Sequence, residues 1–96
     1  MITLNETIEF IKTTIEESLE QDNIKAKINS EMPLIGSDSV LDSMTLVGLC
    51  LALEDKAGEE FDFDWTSDTA MSKSRGMFRS VKSLAEEFVK QQGAQQ

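Results

Sequence analysis

Among the side chains that could do chemistry, Ser43 has the most suggestive surroundings. Val40 to Leu46 reads VLDSMTL, which sets one Asp-Ser pair at the mouth of an apolar, helix-forming run. The chain has no histidine and a single cysteine, Cys50, so a Ser-His nucleophile, most zinc constellations and a thiolate metal cage are excluded. The run Asp62, Asp64, Thr66 and Asp68 has the alternating oxygens of a calcium loop, but Ser67 stands where such a loop needs glycine and Lys73 where it needs a bidentate glutamate. A serine before an apolar helix ordinarily caps it. Asp42 can do that alone, because a carboxylate accepts from the free first-turn amides and is favoured at the positive end of the helix dipole. The cap does not need the hydroxyl of Ser43, which is left free at the first helical position.

Periodicity supplies the elements that would position it. Leu4, Ile8, Ile11, Ile15 and Leu19 recur at helical spacing and predict a first helix, opened by a Thr3/Glu6 capping box and ending near Gln21 to Asn23. Ile24 to Val40 holds Pro33 and Gly36 and reads as a long loop pinned by Met32, Leu34 and Ile35. A second helix is expected from Ser43 to Ala57, with Gly58 as its C-cap. Residues 59–70 alternate Phe61, Phe63 and Trp65 with aspartates, yet a lone short strand would lack a partner, so they read as a loop whose aromatics plug the core. A short extra helix is expected within 67–79. Ser80 then caps a last helix with Val81, Leu84, Ala85, Phe88 and Val89 on one face. The fold class is all-α: three main helices plus the short one, forming a single domain over residues 1–90, with 91–96 a disordered tail.

Projection of the second helix at about 100° per residue separates two apolar faces. Leu46, Leu49, Cys50, Leu53 and Ala57 make a core face. Met44, Val47 and Leu51 remain as a second stripe that starts beside Ser43 and is bordered by Glu54 and Asp55. Such a surplus stripe is expected to dock another protein, unless the 24–40 loop covers it.

Charge narrows the partners. Eighteen acidic against nine basic residues give a net charge of -9, which repels nucleic acid and anionic membranes and favours basic protein partners. Ten acidic residues and only Lys56 lie between Glu31 and Asp68, so the negative field surrounds Ser43, whereas Lys73 to Lys82 holds four basic residues and no acidic one. At 96 residues the core is too thin to enclose a large cleft, which argues against an enzyme. A single cysteine in an apolar run, no signal-like N-terminus and no membrane-length apolar run together read as a soluble, cytoplasmic monomer without membrane insertion.

LDSM followed by LVGLCLALED resembles the attachment helix of acyl carrier proteins, in which a serine in Asp-Ser-Leu or Asp-Ser-Met at the start of the second helix receives 4'-phosphopantetheine from coenzyme A. The likeness covers nearly the whole chain: the amphipathic first helix, a loop with Gly36, Asp38 and Ser39, the Asp-Ser helix and a last helix opened by Ser80-Val81. It implies a carrier and not a catalyst, whose arm on Ser43 holds an acyl group as a thioester. A phosphopantetheinyl transferase would be one partner. Acyl-loading and acyl-transfer enzymes with basic docking patches, from a fatty-acid, polyketide or specialised lipid pathway, would be the others. The resemblance assigns Asp42 and Met44 to the flanks of the attachment site, and Val47, Leu51, Glu54 and Asp55 to the partner surface.

Two departures point to a specialised member. Gly48 stands where fatty-acid carriers typically have an acidic residue, and the 61–80 segment is longer than usual and carries Trp65 and the basic cluster Lys73, Arg75 and Arg79. The cluster is expected either to select partners or to offset nearby acids. An aminoacyl cargo, as in D-alanyl carrier proteins, is the alternative, since those tend to combine Asp-Ser-Met with a tryptophan after the second helix. Peptidyl carriers usually place glycine before the serine, where this chain has Asp42. The distant rival is an unmodified acidic interaction module.

Overall fold

Among the described residues three α-helices account for the regular structure: α1 (Leu4–Gln21), α2 (Ser43–Glu60) and α3 (Val81–Gln95). The computed structural model describes residues 2–21, 23, 28–34, 43–63, 65 and 78–95, with the backbone alone at 43 and 95, and contains no strand among them. α1 packs against both other helices.

The expected capping box opens α1: the Glu6 amide donates to Thr3 Oγ1 and the Thr3 amide to Glu6 Oε1, both at 3.1 Å. The helix closes as expected too, with Asn23 at φ 59° donating its amide to the Glu20 carbonyl at 3.0 Å. Its core face is rotated from the expected stripe. Thr7, Ile11, Ile15 and Leu19 are buried, while Leu4 and Ile8 are only partly so. Thr7 is tolerated inside because its hydroxyl donates to the Thr3 carbonyl at 2.8 Å.

α2 buries the projected face in full: Leu46, Leu49, Cys50, Leu53 and Ala57 are each 7% exposed or less. Its end differs from expectation. Gly58 is no C-cap but lies within the helix, without a left-handed φ, and the helix continues to Glu60. The left-handed residue is Asp62, at φ 53°, and the Phe63 amide returns to the Ala57 carbonyl at 3.0 Å. That bond and the burial of Phe63 set the end of the helix one turn later than the local glycine signal does. Phe63 and Trp65 plug the core as expected, their ring centroids 5.0 and 5.4 Å from that of Phe88 on α3. Trp65 Nε1 is buried and has no hydrogen-bond partner among the described residues.

The long loop is described only at 28–34, where Ile28 and Leu34 are buried, and this piece has a structural role in α3. A helix begins with four amides that lack intrahelical partners. Here three of them are met: the Val81 amide donates to Met32 O, that of Lys82 to Ser30 O and that of Ser83 to Ser80 Oγ, all within 2.9–3.2 Å, and the Leu84 amide makes the first helical bond, to Ser80 O at 3.1 Å. Ser80 is therefore the cap expected, and the loop completes it. At its other end α3 runs past the point where a disordered tail was expected: residues 91–95 are helical and Gln92 is fully buried. Its side chain accepts from the Ile2 amide at 3.0 Å and donates to the Ile2 carbonyl at 3.1 Å, tying the first residues to the last turns. The expected extra helix falls at 67–79, of which only residues 78 and 79 are described; Ile35, Lys73 and Arg75 also lie outside.

Candidate functional site

Ser43 is the first residue of α2, so the serine singled out by its sequence stands at the positive end of an 18-residue helix. Asp42 falls outside the described residues. Met44, Val47 and Leu51 are the large hydrophobics exposed among the described residues, at 80%, 40% and 47%. They lie within an arc of about 60° on the α2 surface, and Glu54 and Asp55 widen it to about 100° at successive turns. Asp55 is exposed and Glu54 half-buried. This arc is centred on the side of α2 away from Leu46, Leu49, Cys50, Leu53 and Ala57, which are packed in the core. The two-faced reading of the helix is thus met, with the stripe exposed among the described residues.

Gly48 is exposed between Met44 and Asp55 on the same surface, and a Cβ built there meets nothing within 4 Å. An acidic side chain would have room there. Its absence leaves the surface beside the stripe less negative. Behind the stripe, burial pushes the Cys50 thiol up to about 11, so the thiol stays neutral.

Two features were not anticipated. Lys56 is turned away from the stripe: its Nζ sits 2.8 Å from Glu60 Oε2, 4.4 Å from the Phe10 ring centroid and 5.7 Å from that of Phe61. The only signal for it in the sequence was an isolated lysine within an acidic stretch. Gln92 gave none, since a glutamine in a Gln-rich end looks like any other. Of the basic cluster only Arg79 is described, and it is exposed. No group of side chains able to hold a metal occurs among the described residues, and no helix there is long and apolar enough to cross a membrane.

Comparison of the chain with models of known protein families, with curated proteins and with solved structures returned no match.

Proposed function

We propose that the protein is a carrier that bears 4'-phosphopantetheine on Ser43 and presents an acyl group to partner enzymes. The observation that supports this most is the bare apolar stripe of Met44, Val47 and Leu51, which begins beside the first residue of a helix whose opposite face is fully packed. The residues present suit such an arm. Ser43 would hold it, and the positive end of α2 favours the phosphodiester. The exposure of Met44 leaves the approach open to a transferase. When attached, the arm supplies a terminal thiol that holds the cargo as a thioester. Everything else required of this chain is binding: Val47 and Leu51 offer apolar contact, while Glu54 and Asp55 steer basic patches and fix orientation. Gly48, with no acidic side chain, sets this surface apart from that of carriers docking to fatty-acid enzymes and supports a specialised pathway.

An aminoacyl cargo is the second reading. It is favoured by Asp42-Ser43-Met44 together with a tryptophan, Trp65, built into the core after α2. The substrate preference of the loading enzyme separates the two.

The deciding experiment is incubation with coenzyme A and a promiscuous phosphopantetheinyl transferase, read by intact mass. One phosphopantetheinyl mass is expected, as Ser43 Oγ forms the new phosphoester and the nucleotide part of coenzyme A leaves. Ser43→Ala removes the shift. Ser37 and Ser39 are internal controls in the same acidic stretch. No shift in the native chain, or a shift that survives Ser43→Ala, would leave the unmodified interaction module in its place.

A further inference from the structure

The end of the molecule remote from Ser43 carries a second built surface. Ile2, Phe10 and Phe61 form the apolar part of an open groove of about 590 Å³ between the start of α1 and the end of α2. Glu6, Glu9 and Glu60 stand around it, with Lys56 the one cation among its lining residues. That ammonium is already engaged by Glu60 and by the Phe10 ring. Glu9 keeps 70% of its side chain in solvent, with Lys12 3.5 Å away, on a chain whose overall charge is strongly negative.

The groove is held in shape from three sides. Gln92 fixes Ile2 through both backbone groups, the Thr3/Glu6 box fixes the first turn of α1, and Lys56 joins α2 to Phe10. A pre-formed, mostly apolar recess with a carboxylate rim suits a large aliphatic or aromatic side chain flanked by positive charges.

We propose that this groove docks a basic protein segment through a single apolar anchor residue. Along α2, Ser43 lies about 20 Å from Lys56 and about 26 Å from Glu60, at 1.5 Å per residue. A protein seated there leaves the Met44 stripe open, so the chain can be held by one partner while its other end meets a second. The binding claim does not depend on what Ser43 carries; only that last consequence does.

The test is an amide-resolved NMR titration with a helical Lys/Ala peptide bearing one leucine, alongside the same peptide with alanine at the anchor. Shifts are expected at Glu9, Phe10, Lys56 and Phe61, weakening with salt and lost without the anchor. Glu9→Lys with Thr13→Lys, both at exposed positions, should weaken binding about tenfold while leaving the helical content unchanged. Shifts confined to Met44, Val47 and Leu51, affinity indifferent to the charge reversal, or no shifts at millimolar peptide would each overturn the proposal. Because Ser43 plays no part in the readout, failure here leaves the carrier reading intact, and failure of the mass-shift experiment leaves this one intact.

Discussion

Truncating Gln92 to alanine should destabilise the fold well beyond what a residue near a chain end ordinarily does. The side chain is fully buried and makes two bonds to one residue, accepting from the Ile2 amide at 3.0 Å and donating to its carbonyl at 3.1 Å. Each bond contributes about 1 kcal/mol net, and each stranded buried group costs about 1–3 kcal/mol more. Ile2 can escape part of that cost by swinging into water, but it is only 6% exposed and would forfeit about 1.5–3 kcal/mol of side-chain burial. The expected loss is therefore about 2–4 kcal/mol, a large share of the 5–15 kcal/mol typical of a whole domain. Urea unfolding measures it directly, and a fall in melting temperature on the order of 15 °C should accompany it. Gln91→Ala is the control: that residue is half-buried and its side chain bonds to Glu87 on the same helix, so its loss should stay within about 0.5 kcal/mol. Gln92→Glu adds a pH signature. A carboxylate facing the Ile2 carbonyl has its folded-state pKa raised, so near-native stability should be present below about pH 4.3, the unfolded value, and be lost as pH rises through the folded value. Equal losses for Gln92→Ala and Gln91→Ala would refute the clamp.

Three further outcomes are expected. Gly48→Ala should stabilise the chain by about 1 kcal/mol in the same unfolding assay, because the position is mid-helix and exposed, with open space for a Cβ; no gain would mean that α2 does not need the backbone restraint. Cys50 should resist a disulfide-exchange reagent at pH 8 in the folded state and react only on unfolding, since the thiol is buried and pushed up to about 11; rapid stoichiometric labelling would contradict its packing. Hydrogen bonds from the Thr3 backbone and then its side chain hold the Glu6 carboxyl below its ordinary 4.5, so its contribution should be full above that pH and fade as pH falls through the lowered value. A wild-type advantage over Glu6→Gln that is flat across this range would count against the bond.

Much of the architecture is written in local sequence because the forces behind it are local. A capping box spans four residues, and Thr3/Glu6 is present as its letters imply. The division of α2 into a core face and a spare stripe follows from helical geometry alone: Leu46, Leu49, Cys50 and Leu53 are buried while Met44, Val47 and Leu51 are exposed. The candidate attachment serine is legible for the same reason, since its place at the start of α2 is a matter of neighbouring residues. Tertiary structure decided what depended on distant ones. Gly58 offered a stop, yet α2 runs to Glu60 because Phe63 is drawn into the core and bonds back to Ala57. Gln92 resembles its neighbours until Ile2, 90 positions earlier, arrives to use both ends of its amide. The first amides of α3 find partners in a loop some fifty residues upstream, and the groove at the far pole forms only when α1 and α2 lie side by side. Periodicity reports which way a side chain faces along its own helix. Which polar groups must be satisfied by a remote segment is settled only once the chain has packed and water has been excluded from both.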